Sequence, residues 1–253
     1  MTEASVGDWL LGRLVSAGAL AEVREAASPT GEVAAIKRLH GHAARDPALR
    51  ALFVAECALT CALPPHPGLV RGRSADPDAA RPFLVMDLIG GADLRVMLER
   101  GPAPPMTTAR DLVAAAAAAV AHLHVHGWVH GDLNPANLLV TAGGTVICDL
   151  GIARRIGDGG PVRGTAAYMA PEQVRGGAWT GAVDVFALGT LLWELSATTR
   201  LFHRGASFLS MAAVVEHEAA PLTDASIAEI VAAALAKDPT ARPSAAELAA
   251  ALR

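Results

Sequence analysis

A chain of 253 residues, 52% apolar and 18% charged, is long enough for a two-lobed unit with a sizeable core, and this balance excludes intrinsic disorder. The formal net charge of −4 gives no reason to expect a nucleic acid or an anionic membrane surface as a partner. The longest apolar run, residues 112–121, is about half of a membrane span, and Glu3 and Asp8 argue against a secretory signal. Residues 9–15, 22–26 and 33–37 read as strands, with a turn at Ser28, Pro29, Thr30 and Gly31. Residues 45–62 have helical periodicity through Leu49, Leu52, Phe53, Cys57 and Leu59. A short buried strand is predicted over 83–88, ending in Gly90 and Gly91, and an alanine-rich buried helix over 109–124. Residues 137–140 and 145–148 flank Ala142, Gly143 and Gly144 and predict a β-hairpin with a glycine turn. Cys57, Cys61 and Cys148 form no C-x-x-C pair and lie in apolar surroundings, which predicts buried, reduced thiols in a cytoplasmic protein. His122, His124, His126 and His130 lack a matching cysteine or carboxylate set, so no histidine metal site is expected.

The chemistry concentrates in His130-Gly131-Asp132-Leu133-Asn134-Pro135-Ala136-Asn137, followed by Asp149-Leu150-Gly151. An aspartate beside a substrate hydroxyl accepts its proton. An asparagine oxygen and a second carboxylate suit Mg2+, a hard cation that takes oxygen ligands. The predicted hairpin would set Asn137 and Asp149 at neighbouring ends of its two strands. This stretch resembles the protein kinase catalytic loop, H-R-D-x-x-x-x-N, and the metal-binding D-F-G.

Other segments resemble the same family, in family order. Ser16-Ala17-Gly18-Ala19-Leu20-Ala21-Glu22-Val23 is similar to the glycine-rich loop, with Gly18 alone of its three glycines. Lys37 ends the third strand where the family has V-A-I-K, and Glu56 falls at the place of that lysine's partner. His66-Pro67-Gly68-Leu69-Val70 resembles the turn into the next strand. Gly164-Thr165-Ala166-Ala167-Tyr168-Met169-Ala170-Pro171-Glu172 resembles the bacterial serine/threonine kinase G-T-x-x-Y-M-A-P-E. Asp184-Val185-Phe186-Ala187-Leu188-Gly189 and Lys237-Asp238-Pro239-Thr240-Ala241-Arg242-Pro243 resemble the segments that follow it.

The resemblance implies an α+β, two-lobed protein kinase-like fold. Residues 1–88 would form a small β-rich N-lobe and residues 89–253 a larger, mostly helical C-lobe. It implies ATP and Mg2+ as the nucleotide and metal. Asp132 would be the base, Asn137 and Asp149 the metal ligands, and Lys37 with Glu56 the phosphate-holding pair. Val15, Gly18, Val23, Ala35, Leu139 and Cys148 would line the nucleotide pocket, with Met86 as gatekeeper and the backbone at Asp87 and Ile89 meeting the adenine. Asp184 would anchor the loop around His130, His124 would be structural, and Arg242 would pair with Glu172.

Two positions depart from the family. Gly131 replaces an arginine that in many kinases binds a phosphorylated residue of the following segment. Between Ile152 and Met169 the only hydroxyls are Thr165 and Tyr168, so activity is not expected to be switched on by phosphorylation there. Asn134 replaces a lysine that stabilises charge on the transferring phosphate, and Asn134→Lys is therefore expected to raise turnover. The loop also resembles that of small-molecule phosphotransferases, which lack the Gly164–Glu172, Asp184 and Arg242 segments. Three readings follow: a protein serine/threonine kinase, a pseudokinase that binds nucleotide as a scaffold or regulatory partner, and a small-molecule phosphotransferase.

Overall fold

The structure, a computed structural model, describes residues 5–100 and 106–253. The chain divides into two compact units, Met1–Gly90 with Asp149–Gly151, and Gly91–Cys148 with Ile152–Arg253. The first is β-rich and the second mostly helical, an α+β kinase-type architecture.

The first unit holds an antiparallel sheet of β1 (Ser5–Val6), β2 (Trp9–Ala17), β3 (Ala21–Ala27), β4 (Val33–Leu39), β5 (Gly72–Asp76) and β6 (Phe83–Met86), in the order β1-β2-β3-β4-β6-β5. Period-2 alternation along β4 splits its side chains between two faces. Ala34 and Ile36 join Val6, Ala26, Phe83 and Val85 in one apolar cluster, against which Trp9 and Leu11 pack. The opposite face of β4 carries Ala35, Lys37 and Leu39, and Leu39 clusters with Leu84, Phe53 and Cys57. Phe53 and Cys57 come from a helix, so this face of the sheet is covered by one.

The helix predicted over 45–62 is α2 (Pro47–Ala62), and a short helix, α1 (Gly41–Arg45), precedes it. Asp46 separates them. Its carboxylate accepts the Ala48 and Leu49 amides at 2.8 and 3.1 Å, and Pro47 opens the second helix, where a missing N–H costs nothing. The buried residues of α2 are Phe53, Glu56, Cys57, Leu59 and Thr60, which makes Glu56 part of its inward stripe. The expectation that all three cysteines are buried is corrected. Cys57 is buried, Cys61 is exposed and Cys148 lies between, because Cys61 falls outside the stripe that α2 turns inward. Burial pushes the Cys57 thiol up to about 12, which leaves it inert.

The second unit contains β7 (Ala92–Asp93), β8 (Trp128–Val129), β9 (Leu138–Thr141), β10 (Gly144–Ile147) and β11 (Arg154–Arg155), and the helices α3 (Leu94–Arg100), α4 (Met106–Val125), α5 (Pro171–Val174), α6 (Ala182–Ala197), α7 (Ser207–Glu216), α8 (Ala225–Ala234) and α9 (Ala245–Ala251). β9 and β10 are the predicted hairpin, and β7 pairs with β9 along its other edge. From Val183 to Leu195 every residue of α6 is buried, as expected for a helix apolar all round. Alanines 114, 116, 117 and 119 of α4 are buried and let its neighbours approach closely; these include α6, α9 and β10. Thr145 on β10 donates to the Leu112 carbonyl of α4 at 2.9 Å, which ties the hairpin to this helix. Arg242 donates to both oxygens of Glu172 at 2.7 and 3.0 Å, the pairing implied by the resemblance, and also to the Ala182 carbonyl at the start of α6. Such a buried pair specifies geometry more than it adds net stability. Among the described residues no helix is long and apolar enough to cross a membrane, and no group of histidine, cysteine and carboxylate side chains is placed to hold a metal.

Candidate active site

In the first unit, strand register gathers the predicted nucleotide-side residues. Val23 stands opposite Lys37 on the β3–β4 ladder, and Ala35 stands opposite Met86 on the β4–β6 ladder. Cross-strand partners share a face, so Val23, Ala35, Lys37 and Met86 lie on the same side of the sheet. Val15 is exposed on β2, and Gly18 sits in the β2–β3 turn, where its amide donates to the Ala21 carbonyl at 2.9 Å. The Asp87 amide is used by the Arg71 carbonyl at 3.0 Å, and Ile89 is half-buried beyond β6.

Helix α2 covers that face and brings Glu56 to Lys37. Lys37 Nζ donates to Glu56 Oε1 at 2.6 Å and to Asp149 Oδ1 at 3.0 Å. Burial works against the charge of Lys37, but the two carboxylates outweigh it and hold its pKa above the ordinary lysine range. Burial raises the Glu56 carboxyl; Lys37 pulls it down, Asp149 pushes it up, and the net direction is upward. Asp149 has a left-handed backbone, φ 66°, which aspartate tolerates better than most residues. The Gly151 amide donates to Asp149 Oδ1 at 3.0 Å. A Cβ on Gly151 would stand 2.9 Å from that oxygen and 3.2 Å from Glu56 Oε2, so a side chain there would push on both carboxylates.

In the second unit the catalytic-type loop is held from four sides. Asp184, fully buried, accepts the His130 amide at 2.9 Å, the Gly131 amide at 2.8 Å and the His124 ring at 2.9 Å. Burial alone would raise its pKa, but these donors keep the carboxyl below the usual range. Gln173 donates to the Gly131 carbonyl at 2.9 Å. Asp132 Oδ1 accepts the Thr165 amide at 2.7 Å, and Asn137 Nδ2 donates to the Asp132 carbonyl at 2.9 Å. With its amide nitrogen used on the loop, Asn137 offers its oxygen, the hard donor a divalent cation takes. Leu139 is half-buried on β9, and the Cys148 amide just past β10 donates to the Asn137 carbonyl at 3.0 Å.

The protein kinase domain family matches residues 9–251. The chain belongs to the protein kinase family. It is similar to serine/threonine-protein kinase PkaA of Streptomyces coelicolor, 38% identical over 260 aligned positions that cover 97% of this chain and 46% of that protein. It is also similar to serine/threonine-protein kinase PknB of Mycolicibacterium smegmatis, 34% identical over 199 positions, 73% of this chain and 32% of that protein. PknB of Mycobacterium tuberculosis matches to the same extent. The kinase chain thus spans less than half the length of these relatives.

Sequence reasoning missed three residues of this kinase loop: Thr165 as the partner of Asp132, Gln173, and Trp179. A buried glutamine just after the Ala170-Pro171-Glu172 motif was the one available signal. Asn134 itself is 6% exposed and fully engaged. Its oxygen accepts the Ala136 amide at 2.9 Å, and its nitrogen donates to the Asp132 carbonyl and to Thr165 Oγ1, each at 3.0 Å. A lysine has no acceptor for the Ala136 amide. Asn134→Lys is therefore expected to lower stability by about 1 kcal/mol through the lost cap, a cost separate from the gain in turnover that the sequence predicts. Thermal melting checks the stability cost and steady-state kinetics the turnover; an unchanged melting temperature would count against the cap.

Proposed function

We propose that this chain is an ATP-dependent protein kinase that transfers the γ-phosphate to a serine or threonine hydroxyl of a protein. The observation that carries the reading is the Lys37–Glu56–Asp149 set, in which one ammonium is held by two carboxylates at 2.6 and 3.0 Å. A cation fixed in this way presents a charge to phosphates without reorganising during the reaction. Lys37 would orient the nucleotide phosphates, with Glu56 fixing its position. Val15, Gly18, Val23, Ala35, Met86, Leu139 and Cys148 would contact the nucleotide. Asp87 would meet the adenine through its carbonyl, since its amide is taken, and Ile89 through its amide.

Asn137 and Asp149 would hold Mg2+, and the donor set fits, since both supply hard oxygens. The ion would neutralise phosphate charge when bound. Asp132 would accept the proton of the substrate hydroxyl through its carboxylate, which the Thr165 amide orients at 2.7 Å. Catalysis on this reading is positioning plus electrostatics. A protein acceptor is favoured over a small alcohol by the Gly164–Glu172 segment and its anchoring by Arg242, which small-molecule phosphotransferases lack.

Transfer from labelled ATP with Mg2+ to the chain itself and to a generic protein acceptor, beside Asp132→Asn, tests this. Incorporation that disappears in the variant is the expected result. ATP that raises the melting temperature with no transfer would overturn it in favour of a nucleotide-binding scaffold. Transfer confined to small alcohols would overturn the choice of acceptor.

A further inference from the structure

The resemblance leaves Trp179 unexplained, yet it is among the largest fully buried side chains, 1% exposed. It fills the space beside Gly131. A Cβ built there would stand 2.1 Å from Trp179 Cζ3, and Gly131 has φ 76°, so no side chain fits where the family has its phosphate-reading arginine. The Arg154 guanidinium lies over the same indole, 3.9 Å from the ring centroid. Arg154 Nη2 donates to the Pro161 carbonyl at 2.7 Å, while Nη1 is buried with no hydrogen-bond partner, so the indole takes up this face of the guanidinium, with the charges of Asp158 and Arg163 nearby.

Backbone bonds extend the clamp. The Trp179 amide donates to the Asp158 carbonyl at 2.9 Å, and the Gly157 amide donates to the Trp179 carbonyl at 2.8 Å. At the far end of the same segment, Thr165 holds Asp132. Both hydroxyls of the segment are engaged. Thr165 Oγ1 accepts from Asn134, and Tyr168 donates to Glu194 at 2.6 Å in a buried position. The contacts that hold this segment all come from the chain itself.

We propose that Trp179 is a positioning residue: between Gly131 and the Arg154 guanidinium, its indole holds residues 154–165 against the catalytic loop with no phosphate on the segment. Its effect on turnover rests on the kinase reading above; its effect on segment order does not. Hydrogen exchange and steady-state kinetics on phosphatase-treated protein separate the two. In the untreated and treated wild type, amides 154–165 are expected to be equally protected. Trp179→Ala should exchange there about tenfold faster, the scale of a lost cation–π contact with its attached backbone bonds. Its kcat should fall by about 10²-fold, as misplacement of the reacting groups costs, with KM for ATP nearly unchanged. Trp179→Phe should recover part of both effects.

Unchanged exchange in a folded Trp179→Ala, or protection in the wild type that is lost on phosphatase treatment, would overturn the proposal. If Trp179→Ala fails to fold, Arg154→Gln, which removes the charge and leaves the core intact, is read in the same way. If wild type transfers no phosphate at all, the kinase reading fails, and the exchange data alone decide the clamp.

Discussion

Lys37→Met is expected to reduce phosphoryl transfer by roughly 10²–10³-fold, the loss typical of removing one preorganised charge donor. It should also cost about 3 kcal/mol of stability at neutral pH, because a buried carboxylate is left without its cation. That second effect has a pH signature. Glu56 already has a raised pKa from burial and the nearby Asp149 charge, with Lys37 opposing both. Removing Lys37 raises it further. A carboxyl whose folded pKa lies above its unfolded value stabilises the fold most when protonated, and loses that contribution as pH climbs through the raised value. The deficit of Lys37→Met should therefore be smallest at acid pH and widen as pH rises above the ordinary glutamate range. Melting temperatures of both proteins across that rise measure it. A constant gap would mean that Glu56 stays ionised without Lys37 and that its environment is wetter than its burial implies.

Gly131→Arg, which restores the family residue, is expected to destabilise the chain rather than install phosphate control. The left-handed backbone at φ 76° costs a side chain about 1–2 kcal/mol. The overlap with Trp179 adds about 1–3 kcal/mol of overpacking. A total of about 3 kcal/mol lowers the melting temperature of a chain this size by roughly 6–12 °C. Gly131→Arg combined with Trp179→Gly should lose less than the sum of the two single changes, because the second makes room for the first. Strict additivity in that cycle would show that the two positions do not compete for the same space. Melting curves of the four proteins are sufficient.

What the sequence disclosed and what it hid follow from how far apart in the chain the cooperating groups lie. Lys37 and Glu56 were legible because each falls at a place the family motifs mark, and their contact is the one those motifs imply. Arg242 and Glu172 are distant, but each belongs to a recognisable motif, and their bidentate contact is the one those motifs imply. The start of α2 was written as an aspartate followed by proline, and periodicity alone placed it two residues early. The second role of Asn134, a cap and a tie to Thr165, was hidden because its partners Ala136 and Thr165 carry no signal of that contact in the chain. Trp179 carried no local signal. Its meaning depends on a glycine far upstream having no side chain, and absence of a side chain reads in sequence as permissiveness rather than as space for a partner.

The distribution of tryptophans gives the two units separate optical labels. Trp9 packs on the apolar cluster of the β-rich unit, while Trp128, Trp179 and Trp193 all belong to the helical one. Intrinsic emission from a Trp9→Phe protein would then follow the helical unit alone, and the difference from wild type would follow the sheet. Cooperative or stepwise melting of the two units becomes visible without attaching a dye.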